Sequence, residues 1–449
     1  MHKIYLSLLL VSFAYAQSVS FDKILETTIK NSKDLQAQKL NIDSSKLDIE
    51  NIDSVSYGKL SLSEEISRTN HAGYVFNYKL SSREATFKDF GFSQQSEGLY
   101  VQPTDLNYPE DRNNFNTKLT YDIPLFTGFK LSNQKDILKL QEKANTIKYN
   151  LDVKELEFEV LKAYNSAVVA KDFVKALEKA KESVLFMKNG AIAFHKEGLV
   201  TKIDVNEAKV YESNINSQLL EAKNNFQLAL AYLGFLSSDD SITDVENLEN
   251  IYFKFPNEKE LYKQALENRD ELKMQNIQVN ASKKNIDIAK AAYYPSVFSR
   301  LEYGYNDDTL TLSQDKDYYM AMIGITLTLF DNTRSIEKQK SQIEYQKANL
   351  NEEKLKDAIK LELKKAMLNL GTKEKILEEK IEAKNLAFDI LEQAKLQYKN
   401  QLISMTTLLQ QEANYRKNEA LLIQARYEKS LALASLNLVL GKNIKEGKN

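Results

Sequence analysis

Ile123-Pro124-Leu125-Phe126 closes an alternating stretch and opens a long run rich in Lys, Glu, Leu and Ala; Leu327-Thr328-Leu329-Phe330 does the same 204 residues later. Before the first, Phe115, Thr117, Leu119, Tyr121, Ile123 and Leu125 alternate with Asn116, Lys118, Thr120, Asp122 and Pro124. Before the second, Tyr319, Ala321, Ile323, Ile325, Leu327 and Leu329 alternate with Met320, Met322, Gly324, Thr326 and Thr328. A period of two places one set on each face of a strand. A strand followed by a very long helix, written twice, is a repeat on the scale that sets a fold ahead of any local motif.

Two further segments carry the same period. Val297, Ser299, Leu301, Tyr303 and Tyr305 alternate with Phe298, Arg300, Glu302 and Gly304, and Leu60, Leu62 and Ile66 mark a weaker case. The expected strands are therefore about 57–66, 115–125, 296–305 and 319–329. Each is near the ~9–11 residues of a tilted transmembrane strand. Alternation fits a soluble sandwich equally well, and the tyrosines near the strand ends favour a membrane girdle.

Between Gly128 and Gly190 there is neither Gly nor Pro, and from Ser335 to Leu440 only Gly371 interrupts. The spacing predicts long helices over about 128–190, 200–235, 332–398 and 404–440; sixty helical residues rise about 90 Å. Leu355, Ile359, Leu363, Met367 and Leu370 form one apolar stripe, and Ile423, Tyr427, Leu431, Ala434 and Leu438 another. Ala420, Leu421 and Leu422 lie between, so the last helix needs neighbours on more than one side.

The duplication runs along nearly the whole chain. Ile24, Ile29, Asn31 and Leu35 match Leu261, Leu266, Asn268 and Leu272; Leu199-Val200-Thr201 matches Leu402-Ile403-Ser404. A longer loop within about Arg68–Asn114 accounts for the change of offset, and its Gly, Pro, Asn and aromatic content reads as exposed surface. The first repeat covers 17–235 and the second 260–440, with an irregular connector at 236–259 and a tail at 441–449.

Composition narrows the function. The 449 residues carry a net charge of −2, with no basic surplus for nucleic acid. Residues 1–16 read as a secretory signal: Lys3, an apolar Ile4 to Val11, and Ala14-Tyr15-Ala16 before Gln17. A transmembrane anchor is the competing reading, but that run falls below the ~18–20 residues a span needs. Cys is absent, so neither a disulfide nor an N-terminal lipid is available. Membrane attachment, if any, falls to the strands. The only histidines are His2, His71 and His195, and no Gly-x-x-x-x-Gly-Lys-Ser/Thr stretch occurs. No catalytic, cofactor-binding or metal-binding set emerges; His195 reads as a solvated helix residue, and Asp239-Asp240 and Asp307-Asp308 as turns.

This order of elements resembles the TolC family of outer-membrane channel proteins. Ala291-Ala292-Tyr293-Tyr294-Pro295-Ser296 is similar to that family's passage from helix to strand. Pro124-Leu125-Phe126-Thr127-Gly128 is similar to its passage from strand to helix, a role Phe330 shares in the second repeat. Lys196-Glu197-Gly198-Leu199-Val200-Thr201, followed by Asp204-Val205 and Ala208, resembles its helical-hairpin turn, and Gln401-Leu402-Ile403-Ser404 stands in the second. Tyr74-Val75-Phe76, Phe87-Lys88-Asp89-Phe90, Leu106-Asn107 and Asn114-Phe115-Asn116 look like a long-loop branch.

The resemblance implies a mainly α protein with a membrane β portion. Each protomer of a homotrimer gives four strands to a twelve-stranded β-barrel in outer-membrane lipid and long helices to a periplasmic α-barrel. It further implies a passive Gram-negative efflux or type I secretion duct, opened by a periplasmic adaptor (membrane fusion) protein and energised by an inner-membrane RND or ABC pump. The two turns would then form the periplasmic entrance and dock the adaptor, where the plainer reading is that they only cap helices, with Thr201 or Ser404 as N-cap. Related channels carry acidic residues and an Arg near the second turn. Here those positions look like Thr407, Gln410 and Ile403, which leaves closure to the packing of Leu402, Ile403 and Leu408. Asp204 survives, either in a ring of three symmetry copies or in an exposed salt bridge. A structural coiled-coil spacer or adaptor of the envelope, with no channel, is the alternative; a secreted enzyme lacks any assembled site.

Overall fold

The computed structural model describes residues 18–248 and 257–444. The expected signal at 1–16, part of the connector and the end of the tail lie outside them. In chain order the elements are α1 (Phe21–Asn31), α2 (Lys33–Ser56), β1 (Lys59–Thr69), α3 (Ala72–Ser81), α4 (Thr104–Asn107), β2 (Arg112–Thr127), α5 (Lys130–Lys196) and α6 (Lys202–Ser237). Then follow α7 (Glu258–Asn268), α8 (Asp270–Lys290), β3 (Ser296–Asp307), β4 (Asp317–Thr326), α9 (Thr333–Lys399) and α10 (Met405–Val439). α5 and α9 have 67 residues each. Among the described residues no helix is long and apolar enough to cross a membrane.

Contacts divide the chain into two compact units that cut across both sequence repeats. One comprises Ile42–Lys143 and Ile277–Leu350; the other comprises the chain up to Asn41, Ala144–Asn276 and the chain from Asn351. Each repeat supplies a strand pair to the first unit and packed helices to the second.

In the first unit the strands form one antiparallel sheet in the order β1-β2-β3-β4. Its register keeps the two faces distinct. Leu62 pairs with Leu119, Leu119 with Tyr303 and Tyr303 with Tyr319, all on one face. Asp122 pairs with Lys59 and Arg300, and Glu302 with Thr120 and Met320, on the other. Because strand side chains alternate, a slip of one residue would mix these faces. On the apolar face Leu60, Leu62, Ile66, Ile323 and Ile325 remain exposed. β4 ends at Thr326, short of the expected 329. Thr326 faces Ser296, the first residue of β3, and the preceding Pro295 has no N–H to extend the ladder.

The loop between β1 and β2 is more ordered than an irregular surface stretch. α3 and two 3₁₀ turns are tied by Lys79–Asp89 at 2.5 Å and by Asp89 accepting from Thr86 N at 2.7 Å. Glu84, Asp307 and Asp308 bring carboxylate oxygens within 4.8 Å of one another. Lys316 lies 2.5 Å from Glu84 and 3.7 Å from Asp307, while Arg112 bonds Glu84 and lies 3.9 Å from Asp308. The cluster is thus an ion-pair network among the chain's own groups.

In the second unit each repeat supplies most of one core, and Ala434 of α10 joins that of the first. Phe21, Ile24 and Leu25 of α1 pack with Val160, Leu161 and Tyr164 of α5 and Leu233 of α6. Leu261 and Ala265 of α7 pack with Ile359, Leu363 and Leu370 of α9 and Leu436 of α10. The Tyr164 hydroxyl donates to Val19 O and accepts from Glu246 N, both at 3.1 Å, which anchors the chain start to the connector. On α9 the expected stripe is the core face. On α10 it is not: Leu422, Ala425, Ala432, Leu433, Leu436 and Val439 are buried, and of the expected line only Ala434 is. α10 is apolar on several sides, so its periodicity selects no single face.

Candidate functional site

The two helical turns lie in the same unit and close their incoming helices with the same pair of bonds. α5 ends as Gly198 N donates to His195 O at 3.0 Å and Leu199 N to Phe194 O at 2.8 Å. α9 ends as Gln401 N donates to Tyr398 O and Leu402 N to Gln397 O, both at 2.9 Å. These are paired Schellman closures, which satisfy helix carbonyls through one residue in the left-handed region. Gly198 takes that conformation at φ 72°; in the second turn Gln401 takes it at φ 60°. His195 is more than a solvated residue: its Nδ1 lies 3.0 Å from Val200 O and donates to it.

The helices that follow start differently. Ser404 caps α10, accepting from Thr407 N at 3.2 Å. At α6 the Asp204 carboxylate accepts from both Thr201 N at 3.0 Å and Thr201 Oγ1 at 2.6 Å. The Thr201 hydroxyl holds the Asp204 carboxyl below its usual range, with backbone N–H groups, Met405's among them, adding to it against partial burial. Asp204 is therefore a capping carboxylate, in place of the exposed salt bridge considered from sequence. Leu199 and Leu402 are exposed, while Val200 and Ile403 are half-buried. Beneath the turns Met187, Ala191, Val205, Ala208, Leu391, Tyr398, Met405 and Leu408 close into one apolar cluster drawn from both hairpins. Beside it a groove of about 480 Å³ runs between α6 and α10, lined by Ile203, Glu207, Val210, Thr406, Gln410 and Ala413.

Comparison with known proteins adds likenesses to this geometry. Residues 261–442 match the family model described as Outer membrane efflux protein. The fold matches the Campylobacter jejuni CmeC outer membrane channel with a TM-score of 0.73 and 16% identity, covering 95% of this chain and 87% of that one. The outer membrane protein VceC from Vibrio cholerae gives 0.74 at 15% identity, covering 95% and 97%. The open state of the Neisseria gonorrhoeae MtrE outer membrane channel gives 0.74 at 14%, covering 96% and 90%. The chain shares the TolC-type fold of these outer-membrane channels, and its residues 261–442 match the efflux-protein model. No curated protein sequence matches it. The family is one of channels and not of enzymes.

Within this TolC-type chain the residues at the strand–helix passages have distinct tasks. Pro124 pairs with Phe298 and Phe126 with Val297, which leaves Leu125 as an extra residue in a bulge. Gly128 follows at φ 63°, and a Cβ there would meet Ala291 O at 2.6 Å, so a side chain is excluded on two counts. Phe126 and Tyr294 both set their rings edge-on to Phe129. Pro295 is half-buried ahead of β3. In the second repeat Phe330 is 87% exposed and makes no matching contact; Arg334 instead holds that turn, donating to Thr328 O at 2.7 Å and Leu329 O at 2.9 Å.

Sequence reasoning passed over a polar seam between α6 and α10. Thr406 Oγ1 donates to Glu207 at 2.8 Å, and the Tyr211 hydroxyl donates to Glu412. Arg416 donates to Tyr211 Oη at 3.1 Å and to Gln218. A signal was present. Met405, Leu408, Glu412 and Arg416 fall on one helical line, and a charge pair within an apolar line marks a buried polar joint.

Proposed function

We propose that the chain is the exit duct of a Gram-negative envelope transport system. It is a homotrimer whose four-stranded sheets close a twelve-stranded barrel in outer-membrane lipid and whose helices enclose a periplasmic passage. The observation that carries this reading is the sheet. It has one exposed apolar face, one polar face, and edge strands β1 and β4 that each pair on one side only among the described residues. In lipid, unpaired edge groups cost several kcal/mol each, so four strands need partners from other copies. The exposed apolar face suits hydrocarbon and the polar face a water-filled lumen.

The paired turns, Gly198 to Thr201 with Asp204 and Gln401 to Ser404, serve as the entrance that docks a periplasmic adaptor. Exposed Leu199 and Leu402 and the neighbouring groove offer an apolar surface for it. Transport is passive; an inner-membrane pump of the RND or ABC type supplies the energy. Chemical cross-linking of the protein extracted from outer membranes, followed by conductance in planar lipid bilayers, tests the reading. A trimeric, detergent-dependent, conducting species is expected; a water-soluble monomer without conductance would refute it.

A further inference from the structure

We propose that α3 is a ledge inside the outer mouth of the barrel, one that confines the duct to small solutes and meets flat aromatic ones with the exposed rings of His71 and Tyr74. The inference rests on the duct reading above and narrows its cargo.

The register of the sheet fixes the side on which α3 lies. Alternation from Lys59 and Asp122 carries the polar face through Glu65 and Asn116 to Ser67 with Asn114 and Thr69 with Arg112. Tyr78 of α3 is hydrogen-bonded to Ser67 Oγ at 3.1 Å. Just past the helix, Arg112 donates to Ser82 Oγ at 2.9 Å and bonds Glu84. The segment then reaches the β3–β4 loop. Arg83 donates to Asp315 O at 3.0 Å and Asp317 O at 2.6 Å, and Lys316 to Ser82 O at 2.8 Å. α3 lies against β3, Val75 is 2% exposed, and Asn114 of the polar face is 5% exposed. A loop that ran straight out into solvent would leave that face bare.

The long helices join the sheet at its other end, next to Lys59, Thr127, Ser296 and Thr326. The ledge therefore sits at the mouth away from the helical passage. Twelve strands about 4.8 Å apart and tilted about 40° close a cylinder of roughly 12 Å radius at the backbone. A helix with its side chains is about 10–12 Å across, so three ledges, one per copy, fill most of the bore at that level. What is left is too narrow for a folded or helical polypeptide. Of the two uses of such a duct, efflux of small molecules fits and secretion of proteins does not.

The ledge carries a short ladder of rings. His71 and Tyr74 lie 5.0 Å apart between centres, and Tyr74 and Tyr78 6.3 Å. Tyr78 is anchored on Ser67, while His71 is exposed and Tyr74 is 58% exposed. Aromatic faces bared at a narrowing stack with flat solutes that must pass close to them.

The test uses the full chain in planar bilayers, with neutral solutes added to each side in turn. Polyethylene glycols of graded size report the bore. From the loop side their cut-off radius should be about half that of a bare barrel, roughly 7 Å once wall side chains are subtracted. Caffeine, flat and aromatic, should interrupt the current at about fivefold lower concentration than tetraethylene glycol of equal mass, the scale of one aromatic pair. Tyr74→Ala should erase that difference; Tyr100→Ala, at a residue 99% exposed elsewhere in the same loop, should keep it. A cut-off as wide as the bare barrel, equal interruption by the two solutes, or an unchanged Tyr74→Ala variant overturns the ledge and leaves the duct reading standing. A wild-type protein that never conducts overturns the duct reading and the ledge with it.

Discussion

At the second turn a glutamine does a glycine's work. Gln401 holds φ 60° where its counterpart Gly198 holds φ 72°. A residue with a Cβ in that region costs about 1–2 kcal/mol, and the extra freedom glycine gives the unfolded chain offsets part of any gain from replacing it. Gln401→Gly should therefore stabilise the helical unit by roughly 0.5–1 kcal/mol, seen as a higher thermal midpoint, whereas Gly198→Ala should lower it by a similar amount. The turns were legible in sequence because Gly198-Leu199-Val200-Thr201 is echoed by Gln401-Leu402-Ile403-Ser404. The role of Asp204 was not, since a carboxylate at the third helical position reads equally as a cap or a charge until its partners are known. Glu412 escaped for the same reason: a glutamate among many on a helix looks solvated unless its apolar neighbours are followed.

Among the elements, the sheet faces make the sharpest prediction. Ile323 stands on the apolar face, opposite Ser299, and Met322 on the polar face, opposite Arg300. Ile323→Arg should impair insertion by about 2–4 kcal/mol, the cost of an arginine facing mid-bilayer lipid, and Met322→Arg should be tolerated. Folding yields into lipid vesicles measure both. Strand existence was readable from alternation, but the end of β4 was not, because a strand stops where its partner stops. The buried face of α10 was misread because a helix apolar on several sides leaves the choice to its neighbours.

The loop carrying α3 depends on pH through Glu84. Burial opposes its charge, but hydrogen bonds from Lys316 and Arg112 win and hold it at about 2. A depressed carboxyl contributes its full stabilisation above its unfolded value, about 4.5, and loses it as pH falls toward about 2. Hydrogen exchange in α3, corrected for intrinsic rates, should rise across that window. Glu84→Gln should produce the same loosening at neutral pH, by about 1 kcal/mol given the partial exposure of the pair.

For the whole molecule, the duplicated sequence and the compact units follow different lines. The repeat divides the chain near residue 236; the packing divides it at Asn41, Lys143, Asn276 and Leu350, inside long helices. Repetition was visible in residue order because both copies keep the same breaks: Ser32 ends α1 at ψ 119° and Arg269 ends α7 at ψ 119°. The partition was hidden, because nothing in an uninterrupted helical sequence announces where one set of neighbours gives way to another.

The polar side of the sheet has a last implication. Along it Lys59, Lys118 and Arg300 are matched by Glu65, Asp122 and Glu302, and Arg112 at the first residue of β2 is engaged by Glu84. A wall lined this way exerts no sustained pull on either sign of solute. If this face lines the proposed lumen, permeating anions and cations meet nearly the same potential along the sheet, and ion selectivity there is weak.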